Sequence, residues 1–359
     1  MSVSVRRRAV ITMTAAASLA LGAAACSSSA SSSTSAAGAA TSATAPATGS
    51  TGAATGFKLA GTAGLASDPF WISLMCGGSQ AAAAAGSTIT WHAESSSGTS
   101  NAVDEQDIQA AGLENPQGMV LSPTGTESYT PILSQFNTKG VPVEEVNAPS
   151  TATNYYQAVV SPVSDPNVAA MAKLIAQGAG GSGSVAVLAI VSGVPVINDR
   201  WEPMVAALKK LEPGLSILPT QYDSADTNKA ATIVSALLVA HPDLKAIWTT
   251  SGPEGEGAVE AVKAAGKEGK VLVYSFDATP DLVTALQQGT VAALLAQSPY
   301  LMGRDAVQNL ISYLKTRDGS TTTPGTASPQ QVIVPTMILT KSNIDSAAAQ
   351  QYEYKATCG

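Results

Sequence analysis

The chain has 359 residues, of which 45% are hydrophobic, 13% charged and 5% aromatic, with 31 Gly and 20 Pro; this is enough for two ordinary domains with a sizeable core and excludes a disordered acidic chain. Its formal charge is −7, and loss of the first 25 residues, which carry Arg6, Arg7 and Arg8 and no acid, leaves −10, so the body repels phosphate backbones and nucleic acid is not an expected partner. Two His and three Cys are too few for a zinc site of three or four clustered ligands; an all-carboxylate site has no supporting motif, and neither metal nor cofactor is expected.

Arg6-Arg7-Arg8 precede an uncharged run from Ala9 to Leu21 and then Gly22-Ala23-Ala24-Ala25-Cys26, the charged, apolar and small-residue order of an export signal. The apolar run is far short of the ~20 residues that span a bilayer. Cleavage before Cys26 would leave that residue first, and the segment resembles a bacterial lipoprotein signal, in which the Cys is lipidated. Ala23 stands where such signals usually carry Leu, so cleavage after Ala25 without lipid is the alternative, and the paired arginines also suit twin-arginine export. Residues 1–25 are thus read as a signal peptide and 26–56 as the lipidated Cys and a tether. From Ser27 to Gly56 the chain is Ser, Ala, Thr and Gly with a single Pro and no charge, a coil spanning roughly 30 Å root-mean-square.

From Phe57 onward, short β-rich apolar runs alternate with Ala-rich stretches of helical character. The predicted pairs are Phe57–Ala63 with Phe70–Ala85, Thr88–His92 with Ala102–Leu113, and Gly118–Ser122 with Tyr129–Lys139, followed by a strand at Val141–Val146. The pattern restarts with a helix at Val168–Gln177 and strands at Val185–Val191, Leu215–Thr220, Ala246–Thr250, Val271–Phe276 and Ala292–Gln297. Between and after these strands come helices at Trp201–Leu211, Lys229–His241, Glu256–Ala265, Pro280–Gln288 and Gly303–Leu314. A Thr/Gly/Pro-rich loop, Thr316–Pro329, leads to a last strand near Gln331–Leu339. Such alternation predicts an α/β fold of parallel sheets covered by helices, and two lobes on one plan place a ligand cleft between them, outside the carboxyl ends of the strands.

Six short segments then appear in a telling order: Ser67-Asp68-Pro69-Phe70-Trp71, Gly140-Val141-Pro142-Val143, Asp199-Arg200, His241-Pro242-Asp243, Ser275-Phe276-Asp277-Ala278-Thr279-Pro280 and Ala296-Gln297-Ser298-Pro299. In that order, over about residues 57 to 340, they resemble the ribose- and galactose-type type I periplasmic binding proteins. The resemblance implies two Rossmann-like lobes joined by a three-strand hinge, with crossings near Ser161–Asp165, Gln297–Pro299 and the Thr316–Gln331 region. It assigns residues 57–162 plus 298–329 to the first lobe and 163–297 plus 330–359 to the second. The effector domains of LacI-type repressors share this fold but carry an amino-terminal helix-turn-helix, where this chain has an export signal.

A sugar presents hydroxyls that donate and accept, and C–H faces that lie against aromatic planes, so its site needs carboxylates, amides, a guanidinium and an aromatic wall. The resemblance places Asp68 and Asp277 as acceptors, Arg200 as a forked donor, Gln297 as both near the hinge, and Phe70 or Trp71 as the wall. Packing within their own lobe is the alternative for Phe70 and Trp71; a helix cap or a pair with Glu202 is that for Arg200, and a cap of the helix after Pro280 is that for Asp277. Asn147-Ala148 stand where the family commonly has Asp-Arg, Ser251-Gly252 where it has Asn-Asp, and Ala225 where it has a second aromatic. Asn147 and Ser251 are kept as ligand-site residues. The departures predict a roomier or less polar site than a pentose needs, unless Tyr222, Asp223, Asp226 or Trp248 take over.

Other motifs point elsewhere or nowhere. Gly178-Ala179-Gly180-Gly181-Ser182-Gly183 fits a dinucleotide-type glycine pattern but follows a helix and precedes a strand, the reverse of what that fold needs. There is no G-x-S-x-G elbow and no phosphate-binding loop of the Walker type, and His92 and His241 offer little for a Ser-His-Asp arrangement. The expected function is that of a non-enzymatic, monomeric extracytoplasmic solute-binding lipoprotein of an ABC importer, anchored to the cell membrane through lipid on Cys26, with a carbohydrate ligand and a membrane permease as partners. A sensory lipoprotein of the same fold is the alternative, and an exported hydrolase a distant one. With Cys26 lipidated, Cys76 and Cys358 are the two thiols left in a compartment that permits disulfides, and a bond between them would pin the carboxyl tail.

Overall fold

The computed structural model describes residues 56–94, 101–123, 129–149, 157–161, 166–317 and 330–358; the signal segment, Cys26 and the tether lie outside the described residues. The first run of elements is β1 (Lys58–Ala63), α1 (Pro69–Ala84), β2 (Thr88–Ala93), α2 (Asn101–Leu113), β3 (Gly118–Leu121), α3 (Thr130–Thr138), β4 (Val143–Asn147) and β5 (Gln157–Val160). The second is α4 (Pro166–Ala179), β6 (Gly183–Ala189), α5 (Pro195–Leu211), β7 (Leu215–Ile217), β8 (Gln221–Tyr222), α6 (Thr227–Ala240), β9 (Leu244–Thr249), α7 (Gly252–Ala264), β10 (Leu272–Phe276), α8 (Pro280–Gln288) and β11 (Val291–Ala296). The chain then returns through α9 (Pro299–Thr316) and β12 (Gln330–Ile333) to β13 (Met337–Leu339) and the short α10 (Ala347–Gln350).

These elements build two sheets. The first is parallel throughout, in the order β12-β5-β4-β3-β1-β2; the second runs β13-β11-β10-β9-β6-β7, with β13 antiparallel to β11 and β8 added beside β6. Both faces of the central strands are covered, which is why β3 and β11 read as continuous apolar runs rather than alternating ones. Helix starts are written in the sequence: Asp68, Thr279 and Ser298 each accept a backbone N–H of the following turn, and Pro69, Pro280 and Pro299 stand at the first helical positions, where proline's missing donor costs nothing.

The chain crosses between the sheets three times, after β5, between β11 and α9, and between β12 and β13. The third crossing corrects the expectation that residues 330–359 all belong to the second lobe. Gln330–Ile333 pairs parallel with Gln157–Val160 and so still belongs to the first sheet. The switch falls at Val334–Thr336, where Val334 N–H donates to the Val160 carbonyl at 2.9 Å and Ser161 Oγ donates to the Val334 carbonyl at 2.6 Å. The single predicted strand over Gln331–Leu339 is therefore two strands in two sheets. Pro335, lacking a ladder donor, sits at the break.

Each lobe has its own core, with Ile108, Met119, Leu133 and Val143 in the first and Met171, Val187, Trp248 and Phe276 in the second. A larger cluster reaches from Leu59, Phe70 and Leu74 to Ile247, Val262 and Leu282, and the tail residues Tyr352 and Tyr354 belong to it. On the first lobe α1 lies against α9 at backbone contact: a Cβ on Gly77 would strike the Tyr300 carbonyl, and one on Gly303 the Leu74 carbonyl.

Candidate functional site

Open parallel sheets bind ligands outside the carboxyl ends of their strands, beside the strand where the order reverses. Here β1 lies between β2 and β3, and β6 between β7 and β9. The loops leaving those ends carry most of the residues singled out in the sequence: Asp68 after β1, Asn147 closing β4, Ser251 after β9, Asp277 after β10 and Gln297 after β11. Arg200 comes from α5, which begins at Pro195 rather than near Trp201, so it sits in the second turn instead of opening the helix.

Arg200 is buried and faces inward. Its Nη1 donates to the Thr250 carbonyl at 2.9 Å and lies 3.9 Å from Asp277 Oδ2, its Nη2 donates to Gln297 Oε1 at 3.3 Å, and its guanidinium stacks 4.3 Å from the centre of the Phe276 ring. Neither alternative for Arg200 is realised: it does not cap its helix and does not pair with Glu202. The main chain behind it is fixed by Trp248, whose indole N–H donates to the Arg200 carbonyl at 3.1 Å. Trp248 is fully buried, so it positions the arginine from within the core and is not the replacement wall the sequence left open.

Asp277 takes a left-handed backbone, φ 75°, which turns its carboxylate away from the helix that follows; Thr279 caps that helix instead. Its Oδ2 accepts from the Gly252 N–H at 3.3 Å and its Oδ1 from the Tyr354 hydroxyl at 2.6 Å. Burial raises its pKa, while Arg200, the Tyr354 hydroxyl and the Gly252 N–H oppose that rise. Gln297 spans the hinge, accepting from Arg200 through Oε1 and donating through Nε2 to the Ser161 carbonyl at 3.3 Å.

The first-lobe residues approach this network from the other sheet. Asp68 Oδ1 accepts the Phe70 N–H at 2.9 Å and so caps α1, yet burial lifts its pKa to about 6, with the charges of Asp277 and Glu256 adding and that of Arg200 opposing. Phe70 and Trp71 meet edge to face at 4.8 Å, and Phe70 meets Tyr354 the same way at 5.7 Å. Phe70 is buried while Trp71 is half-buried. Ser251 turns from the network, its hydroxyl donating to Glu254 Oε2, and Thr250 Oγ1 donates to Oε1 of the same carboxyl at 3.0 Å. Asn147 also has a left-handed backbone, φ 75°, and its Oδ1 is buried without a hydrogen-bond partner.

Two participants were not singled out from the sequence. Glu254 is fully buried on α7, and its pKa stands well above the ordinary value, through burial first and the charge of Asp223 second. Asp223 is itself buried and raised to about 7. Tyr354 lies 77 positions from Asp277; the available hint was the pairing of Tyr352 and Tyr354 just before Cys358 in an otherwise polar tail. Among the described residues no group of three His, Cys, Asp or Glu side chains is arranged to hold a metal ion. The arrangement suits a neutral, hydroxyl-bearing molecule, with a buried fork donor, carboxylate acceptors, an amide at the hinge and aromatic surface beside them.

Two parallel-sheet lobes, three crossings and polar side chains gathered at the strand ends define a two-lobed binding protein of type I architecture. The family model described as periplasmic binding protein domain matches residues 62–318, and the chain belongs to that family. It is 26% identical over 252 residues to the ribose import binding protein of Escherichia coli (strain K12), covering 69% of this chain and 82% of the relative. It is 30% identical over 200 residues to the ribose import binding protein of Haemophilus influenzae, 55% of this chain and 66% of the relative. Among solved structures, an ABC transporter solute-binding protein from Agrobacterium vitis bound with α-D-tagatopyranose superposes with a TM-score of 0.70 at 25% identity, covering 83% of this chain and 99% of that one. These relatives are binding proteins of transporters, not enzymes.

Proposed function

We propose that the mature protein is the extracytoplasmic sugar-binding component of an ABC importer, holding its ligand between the lobes and presenting it to a membrane permease. The observation that carries this reading is the buried Arg200–Asp277–Gln297 network at the strand ends, with Asp68, Phe70 and Trp71 approaching it from the first lobe. Asp277 and Asp68 accept ligand hydroxyls, Arg200 donates, Gln297 links ligand to hinge, and the Phe70–Trp71 pair lies against the sugar's C–H face. Asn147, with its unpartnered Oδ1, and Ser251 complete the ligand shell. Lipid on Cys26 and the uncharged tether keep the protein at the outer face of the membrane, since two or more acyl chains anchor stably where one does not.

Calorimetry of the mature protein against pentoses, hexoses, disaccharides, polyols and amino acids tests the reading. A sugar is expected to bind, and ribose to bind poorly, because Ala148, Ala225 and Gly252 remove contacts a pentose uses. Arg200→Ala and Asp277→Ala are each expected to weaken binding at least ~30-fold with the fold retained, the cost of truncating one partner of a buried charged contact. Tight binding of an amino acid, or affinity indifferent to both substitutions, would reject the assignment.

A further inference from the structure

After β13 the chain runs through α10 and then over both lobes. Ser298 Oγ donates to the Gln351 carbonyl at 2.5 Å, Tyr354 N–H donates to the Ala278 carbonyl at 2.9 Å, and Lys355 N–H donates to Ser73 Oγ at 2.6 Å. Four residues after Tyr354, Cys358 is joined by a disulfide to Cys76 of α1. The tail is therefore tied to the second lobe at Tyr354 itself and to first-lobe elements on either side of it, at Gln351 and at Lys355 and Cys358. Its aromatic side chain has little freedom to leave. These residues lie beyond the part of the chain that matches the family model, which ends at 318.

Tyr354 is 5% exposed, and its hydroxyl, kept protonated by burial and by the neighbouring Asp277 charge, donates to Asp277 Oδ1. The other carboxylate oxygen already takes the Gly252 N–H and faces Arg200. The phenol thus supplies from within the protein the kind of donor that a ligand hydroxyl would bring, and its ring packs edge to face on Phe70. We propose that Tyr354 is a specificity-determining residue of the ligand site, occupying an acceptor of Asp277 so that the preferred sugar carries no hydroxyl where the phenol stands. This rests on the sugar-binding reading above.

The test is calorimetry on the full mature chain with matched pairs of sugars differing by one hydroxyl: D-ribose and 2-deoxy-D-ribose, D-galactose and D-fucose, D-glucose and 3-deoxy-D-glucose. Wild type is expected to bind at least one deoxy member as tightly as its partner or more so. Tyr354→Phe keeps the ring and frees the acceptor, and is expected to move that pair's affinity ratio about tenfold toward the hydroxylated sugar. The double variant Cys76→Ser, Cys358→Ser releases the tail without touching Asp277, and is expected to move the same ratio in the same direction. Unchanged ratios in both variants, or a uniform loss across every pair, would overturn the proposal while leaving sugar binding intact. If neither wild type nor variant binds any sugar although circular dichroism reports folded protein, the sugar-binding reading fails and this proposal falls with it.

Discussion

Arg200 illustrates how a site residue is made at the scale of a single side chain. Its charge is buried, which is tolerable because both terminal nitrogens and the guanidinium face have partners: the Thr250 carbonyl, the Gln297 amide, the Asp277 carboxylate and the Phe276 ring, while its Nε is left without a hydrogen bond. Glu144 shows the opposite case. It lies fully buried on β4, its nearest donor is Asn309 Nδ2 at 3.4 Å, its Oε2 has no hydrogen-bond partner, and burial pushes its pKa up to about 8. A carboxyl raised in the folded state lends stability below its unfolded value near 4.5 that is lost as pH rises through about 8. Asp68, raised to about 6, and Asp223, raised to about 7, act in the same direction. The melting temperature is therefore expected to fall between pH 5 and pH 8. Glu144→Gln should recover about 2–4 kcal/mol at pH 8 and little at pH 5; equal midpoints for variant and wild type at pH 8 would show that Glu144 is not buried in charged form there.

Among the elements, the contact of α1 with α9 is the least forgiving. Gly77 and Gly303 let the two backbones touch, and a methyl at either position has a carbonyl in its way. Gly303→Ala should destabilise the protein by about 1–3 kcal/mol, read from the denaturation midpoint; an unchanged midpoint would mean that the helices separate without cost. The same pair carries the tail, since Cys76 lies on α1 and Ser298 caps α9. Most elements were legible from the alternation of β-rich and Ala-rich runs. The exceptions have physical causes. The start of α5 is obscured by Val196 and Ile197, β-branched residues whose helical state is settled by burial of Ile197. β5 was not anticipated because Gln157–Val160 has no helical partner element of its own in the alternation, and its strand state comes from pairing with β4 and β12. β12 and β13 read as one run because only pairing with β5 or β11 distinguishes the sheets.

For the molecule as a whole, the tail adds a link between lobes beyond the three crossings. Its disulfide joins residues 282 apart, and closing so long a loop stabilises by about 5 kcal/mol in the chain-entropy account. The unreduced, denatured mature protein should titrate with no free thiol from Cys76 or Cys358, and reduction should lower the midpoint of unfolding; two free thiols before reduction would remove the link. Cys26→Ser should release the protein from the membrane fraction, whereas unchanged detergent partitioning together with an intact mass lacking lipid would rule out the anchor.

The family resemblance, the alternating elements and the polar residues at strand ends were readable from the chain alone, because each depends on local order: a cap before a proline, an apolar run followed by Asp, a Gln-Ser-Pro turn. The convergence of Arg200, Asp277 and Gln297 followed from the fold that this order implies. Only the tertiary structure decided that Trp248 is a support rather than a wall, that the third crossing lies at Val334–Thr336, and that Tyr354 reaches Asp277. Each of these is a pairing between positions far apart in sequence, and such pairings are selected by packing and by satisfaction of buried polar groups, which no local pattern encodes.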